Sequence, residues 1–280
     1  MYQLQLTESL VAPQDDDVIK ETTVGGVLRS AAAARPDTTA MLELDTEGQT
    51  GRSWTYGELL ADSEKLALAL STRFAPGERI TVWAPNTPEW LLMEYACALA
   101  GLTLVTANPA YQAQELRYVL EQSETVGLFS VKNYRGNPMD EIAATAIEGL
   151  GGIRENVDMD DPAALFRHGD RHAKLPDVTP DDPAQIQYTS GTTGFPKGAI
   201  LHHRGLTNNA RLVFSRAMVK PGATWANFMP MFHTSGCGII ALGCVQNLSR
   251  MVMVKVFDPA AVLRLIEKEG VTALVGVPTM

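Results

Sequence analysis

The strongest constraint on this chain is a rhythm: short apolar runs alternating with segments of helical spacing. ITVWA (80–84), LTLVTA (102–107) and VGLFSV (126–131) read as strands. The stretches between them, from Pro88 to Gly101 and from Gln114 to Ser123, read as helices. Short strands without a polar face, separated by helices, predict a parallel sheet covered on both sides. Thr87-Pro88-Glu89 supplies a helix start: a hydroxyl cap, a proline at the first position and an acid in the first turn. Upstream, Val24, Val27, Leu28 and Ala31 follow helical spacing as far as Pro36. A strand over Thr39–Asp45, a turn at 47–51, a strand ending near Tyr56 and a helix with Leu59, Leu60, Leu66, Ala67 and Leu70 on one face follow.

Residues 153–183 break the rhythm. Rich in Asp, Pro and His, they read as a solvated connector with one helical turn near Pro162–Phe166. Alternation then resumes through AQIQYT, GAILHH, a helix from about Arg204, TWANFM, a Gly-rich helix from about Ser235, MVMVKV, the helix DPAAVLRLIEKEG and the strand TALVGV. The expected fold is α/β with mostly parallel sheets. Its expected division is an arm over 1–19, one subdomain over 75–185, and a second built from 20–74 with 186–280.

Lys+Arg is 23 and Asp+Glu is 32, a net charge of −9, which argues against broad nucleic-acid binding but not against a local site for a small anion. Cys97, Cys237 and Cys244 are scattered and form neither a disulfide framework nor a zinc motif, so a reducing, cytoplasmic setting is expected. The N-terminus has no basic and apolar signal-peptide pattern. Glu94 interrupts the apolar run from Leu91 to Ala107, and Gln246-Asn247 ends the run from Gly236, so no transmembrane segment is expected.

The chemistry concentrates in Tyr188-Thr189-Ser190-Gly191-Thr192-Thr193-Gly194-Phe195-Pro196-Lys197-Gly198. Its glycines permit tight turns and close approach to a ligand. Its hydroxyls and backbone N–H groups can cradle phosphate oxygens, and Lys197 adds a mobile positive charge. The string is not a Walker A loop. Pro196 stands where that motif has its second glycine, and Gly198 where it has Ser or Thr. From composition alone, a flexible surface loop is the competing reading.

The complete string resembles the phosphate-binding signature of the adenylate-forming enzymes, the superfamily of acyl-CoA synthetases, aryl-CoA ligases, luciferases and peptide-synthetase adenylation domains. Other matches fall in the family's order: SWTYGEL (53–59), PNTPEW (85–90), NPAY (108–111), His203 after the loop, MPMFHTSG (229–236) and GVPT (276–279). The likeness covers residues 20–280, least well over 153–183. It implies activation of a fatty-acid carboxylate with ATP and Mg²⁺ to an acyl-adenylate, followed by thioester formation with CoA. It assigns nucleotide binding to Thr189 through Gly198, with Thr189 near the metal and Lys197 stabilising charge. It also implies a chain about twice this length, so that residues 1–280 would be an N-terminal portion lacking the ribose, hinge and lid elements, and would be inactive by themselves.

His233 alone would read as a structural histidine. Its place in the F-H-x-x-G pattern implies a role beside the acyl carboxylate, and a histidine there argues against an amino-acid substrate. Gly236, Cys237 and Gly238 would leave room for an acyl chain or else permit close helix packing. Trp225 and Phe228 could line that region or pack the core. His202 carries no assigned role, and His168 and His172 read as solvated. Two rival functions are an aryl- or dicarboxylate-CoA ligase on the same scaffold and a non-catalytic nucleotide-binding protein.

Overall fold

The computed structural model describes residues 17–44, 49–169, 172–189, 196–278 and 280. The chain opens with α1 (Val24–Ala34), β1 (Thr39–Leu44), β2 (Thr50–Thr55), α2 (Tyr56–Ser71), β3 (Arg79–Trp83), α3 (Pro88–Leu99), β4 (Thr103–Thr106), α4 (Ala113–Gln122) and β5 (Gly127–Ser130). A short hairpin, β6 (Asn133–Tyr134) and β7 (Asn137–Pro138), leads to α5 (Met139–Ile147), β8 (Glu155–Asp158) and α6 (Pro162–Leu165). Then come β9 (Pro183–Thr189), β10 (Lys197–His202), α7 (His203–Arg216), β11 (Thr224–Asn227), a π-helical segment (Ser235–Ala241), α8 (Leu242–Gln246), β12 (Arg250–Val254), α9 (Pro259–Glu269) and β13 (Ala273–Leu274).

Among the described residues the strands form two main sheets. One has the order β10-β9-β4-β3-β5-β8 and is parallel apart from β10. The other has the order β13-β11-β12-β1-β2 and is parallel apart from β2. A helical layer joins them. α2 packs on β1, β2 and α3, while α3 packs on β3 and β4; α7 meets β10, and α8 meets β12. This explains why α3 is apolar all round: of its 12 residues only Glu89 is not buried.

Helix starts follow the local signals. Thr87 accepts from the Trp90 amide with Pro88 at the first position. Thr55 and Glu58 form a reciprocal capping box at α2. The T-Y-x-E-L string is therefore architectural: Tyr56 is buried, and its hydroxyl lies 2.7 Å from the Ser249 carbonyl and 3.2 Å from that of Cys244. It ties the start of α2 to the second sheet's helix–strand turn.

Three expectations are corrected. Residues 186–202 belong with the first sheet, because β9 pairs parallel to β4 and β10 pairs back onto β9; the expected division at 185/186 cuts through β9. The 153–183 stretch is not only a connector. β8 adds a parallel edge strand beside β5, and Val157, Met159 and Leu165 are buried beneath its charged neighbours. The strand expected over TALVGV pairs only at Ala273–Leu274. The N-terminal arm is described from Asp17, which pairs with Arg211, while the Lys20 backbone exchanges hydrogen bonds with the Asn208 side chain.

Tyr56→Phe removes the partner of two interior carbonyls. A loss of about 1–3 kcal/mol is expected, read as a lower urea midpoint at unchanged slope; an unaltered midpoint would show that the hydroxyl contributes nothing.

Candidate functional site

The parallel strands β3, β4, β5 and β9 end at a common edge, at Trp83, Thr106, Ser130 and Thr189. Ligand sites of α/β sheets form at such carboxyl edges. β10 departs from this edge with Lys197 opposite Thr189 and Gly198 opposite Tyr188. The phosphate-loop string is thus bracketed by two paired strands. Ser190, Gly191, Thr192, Thr193, Gly194 and Phe195 lie outside the described residues.

The bracket is braced from α4. The Tyr118 hydroxyl donates to the Pro196 carbonyl at 3.0 Å, and the Tyr188 hydroxyl lies 3.4 Å from the Val119 carbonyl. Lys197 and Gly198 are exposed. A Cβ on Gly198 would stand 3.0 Å from Ile186 and 3.1 Å from the Tyr188 ring, so a side chain there would press on the strand beneath.

Asn86, three residues past β3, links this edge to the second sheet. Its side-chain amide donates to the carbonyls of Met229 (2.9 Å) and Val254 (3.2 Å), and its Oδ1 accepts from the Met231 amide at 2.8 Å. Val254 ends β12, and Met229–Met231 follow β11. One buried side chain therefore uses both donors and its acceptor to hold the P-M-F-H segment against the first sheet's edge.

The segment then turns tightly. The His233 amide donates to the Pro230 carbonyl at 3.1 Å, and the amides of Gly236 and Cys237 donate back to the His233 carbonyl at 2.9 and 3.3 Å. His233 is exposed, and its Nδ1 accepts from the Ser235 amide at 3.1 Å with Ser235 Oγ at 3.0 Å. An Nδ1 occupied as an acceptor leaves Nε2 as the ring's donor.

At Gly236, Cys237 and Gly238 the packing reading accounts for the residues, and room for an acyl chain does not. A Cβ on Gly236 would fall 2.3 Å from the Pro230 carbonyl oxygen, and one on Gly238 would fall 3.2 Å from Thr234 and 3.3 Å from Leu206. Cys237 is fully buried, 3.2 Å from Gln187 Nε2, and burial pushes its thiol well up, which removes it as a nucleophile. Trp225 stacks on Phe214 in the core at 4.7 Å. Space opens elsewhere. A cavity of about 300 Å³ lies where loops from both sheets meet, with Phe228, Phe232 and Phe257 among its apolar walls and Arg135 and Lys255 as its cations.

His202 and His203 are structural. His202 caps α7 by accepting from the Gly205 amide at 2.9 Å. His203 is buried, accepts from the Val24 amide at 3.2 Å, and is held down to about 4 by burial. His168 and His172 are exposed. Among the described residues no group of three His, Cys, Asp or Glu is arranged to hold a metal, and no helix is long and apolar enough to cross a membrane.

Two contributors were missed in the sequence. Asn86 sits inside a motif that also reads as a helix start, which accounted for Thr87 and Pro88 but not for it. Glu94 registered only as an interruption of an apolar run, yet it is buried with its Oε1 2.7 Å from Gln185 Nε2. The signal was a lone acid in an apolar helix together with alternating glutamines in the strand AQIQYT.

Asn86→Ala would orphan two carbonyls and an amide inside the protein, at an expected cost of about 3 kcal/mol, measured by denaturant melts; a neutral result would remove Asn86 as the link. Gly236→Ala is expected to cost about 1–3 kcal/mol by overpacking and to impair substrates of every chain length alike. Parental stability with a selective loss of long acyl substrates would restore the acyl-room reading.

A family model for the AMP-binding enzymes matches residues 28–280. The chain is 30% identical over 311 residues to the mitochondrial medium-chain acyl-CoA ligase ACSF2 of Danio rerio, covering 98% of this chain and 50% of that protein. It spans about half the length of the curated relatives it matches. Its fold is similar to the N-terminal domain of FACL13 from Mycobacterium tuberculosis, with a TM-score of 0.78 at 25% identity over 92% of this chain and 63% of that one. It is also similar in fold to the o-succinylbenzoate coenzyme A synthetase MenE of Bacillus subtilis in complex with ATP and magnesium, with a TM-score of 0.73 at 21% identity over 91% of this chain and 63% of that one. With the family's model matching residues 28–280, the chain belongs to the AMP-binding enzymes, the family of the AMP-forming acyl-CoA ligases.

Proposed function

We propose that the protein activates a fatty-acid carboxylate with ATP and passes the acyl group to CoA. The observation that carries this reading is the bracket of Thr189 and Lys197 around the glycine loop at the carboxyl edge of a parallel sheet, with the His233 turn tied to that edge by Asn86.

A carboxylate oxygen attacks the α-phosphorus. The bond from that phosphorus to the bridging oxygen of the β-phosphate breaks, and pyrophosphate leaves. Adenylation replaces an oxide, which is a hopeless leaving group, with AMP. The CoA sulfur then attacks the acyl carbon and AMP departs. Lys197 is exposed on an edge strand, free to swing toward the departing β- and γ-phosphates, where it stabilises charge as it accumulates. The Nε2–H of His233 is suited to a hydrogen bond with the acyl carboxylate.

The Thr189 hydroxyl, a hard oxygen donor at the loop's mouth, suits Mg²⁺, an ion that draws most of its ligands from phosphates and water. When bound, the ion would draw charge from the phosphate oxygens.

A second reading has one observation in its favour. Arg135 and Lys255 on the cavity wall suit an acid with a second negative group, a dicarboxylate on the same scaffold. Pyrophosphate exchange by the intact protein, run against fatty, aryl and dicarboxylic acids, separates the two, and exchange with none of them would leave only nucleotide binding. Lys197→Ala is expected to slow exchange by about 10²–10³ with little change in acyl-chain affinity. Parental exchange in that variant would remove the phosphate role.

A further inference from the structure

Glu94 is 2% exposed in the middle of α3. Its Oε1 accepts from Gln185 Nε2 at 2.7 Å, and its Oε2 is buried with no partner among the described residues. The contact continues. Gln185 Oε1 accepts from Gln187 Nε2 at 2.9 Å, and that Nε2 reaches Cys237 Sγ at 3.2 Å. The Cys237 thiol lies 3.4 Å from the His233 carbonyl. Gln185, Gln187 and Thr189 alternate along β9 and so share one face of it. A polar line therefore runs from α3, along the strand that enters the glycine loop, to the turn that carries His233.

We propose that Glu94 is a positioning residue of the nucleotide site: as a neutral acid it fixes the Gln185–Gln187 row and, through Cys237, the His233 turn, and its ionisation loosens both. The inference rests on reading residues 189–198 as the phosphate loop. An anion with one hydrogen bond and one orphaned oxygen would be costly in this interior, whereas the neutral acid, its proton on Oε2, leaves one uncharged hydroxyl without a partner among the described residues, a smaller cost. Burial raises the Glu94 carboxyl to about 8, against a smaller pull downward from Gln185. The titratable groups that face it are Tyr95 and Cys97 on its own helix and Cys237 on the π-helical segment, all pushed up by burial and therefore neutral. From β9 its hydrogen-bond partner is the uncharged Gln185. Arg73, after α2, acts on Cys97 and is paired with Glu155.

The test compares the intact parental protein with Glu94→Gln, which keeps an acceptor for Gln185. Glu94 is raised from 4.5 to about 8 on folding. Below 4.5 both states hold the proton and its stabilising contribution is complete. Between 4.5 and 8 only the folded state holds it, so stability falls as pH rises, and above 8 the loss levels off. The Tm advantage of Glu94→Gln should accordingly grow across that window and then become constant. Pyrophosphate exchange by the parent should fall about tenfold between pH 7 and pH 9, while the variant holds its rate. A carboxylic-acid infrared band in the parent below pH 8, absent from the variant, is the third expected result. Exchange profiles that superimpose would overturn the positioning role even if the stabilities differ, and absence of the infrared band would overturn the neutral acid. No exchange by either protein at any pH would sink the phosphate-loop reading and this proposal with it, while the band would still report the state of Glu94.

Discussion

The site depends first on the three hydrogen bonds of Asn86. Two sheets joined by a helical layer can slide over one another, because apolar contact is not directional. A single amide that spends both donors and its acceptor on Met229, Met231 and Val254 fixes the offset of their carboxyl edges. Tyr56 fastens the second sheet at another point, through the carbonyls of Cys244 and Ser249. With those anchors set, the glycine-loop bracket and the His233 turn share one edge although they are far apart in sequence.

Close packing does the rest. The His233 turn is held by backbone bonds to Pro230 and by a glycine at 236 whose missing side chain admits the Pro230 carbonyl. The π-helical segment that follows is i→i+5 bonded at its start, Ile239 to Thr234 at 2.7 Å. Such turns are found at functional sites, where a side chain must be placed out of ordinary helical register. Here the register places Cys237 against Gln187 and leaves His233 open to solvent.

The layout was largely legible because the parallel strands are apolar on both faces, and helix starts announce themselves through Thr87 and Asp258. The glycine-loop string was equally plain as a pattern. What could not be read was partnership. β8 was hidden because an edge strand needs few apolar residues, and its charged neighbours outweighed Val157 and Met159. The division at 185/186 failed because the sequence before a strand does not name the sheet it joins. Asn86 and Glu94 act through residues more than ninety positions away in chain order, as at Glu94 and Gln185, or through backbone carbonyls, and neither leaves a local signature. At Gly236 both readings fitted the sequence, and only the distance to Pro230 separates them.

On the proposed phosphate role, the bracket also accounts for the lysine of this string. A Walker A loop leads into a helix, whose N-terminal amides and dipole favour the phosphates. Here the chain leaves the loop as β10, and the next helix begins only at His203, six residues after Lys197 at the far end of that strand. A strand has no comparable dipole. In the proposed nucleotide role the positive potential would therefore come from Lys197. Pro196 withdraws one amide in return for a stiff approach, and the Tyr118 hydroxyl on its carbonyl fixes that approach to α4. Lys197, on an exposed strand paired to β9, keeps a mobile side chain over a fixed base. That freedom would be lost if the cation were part of a packed helix.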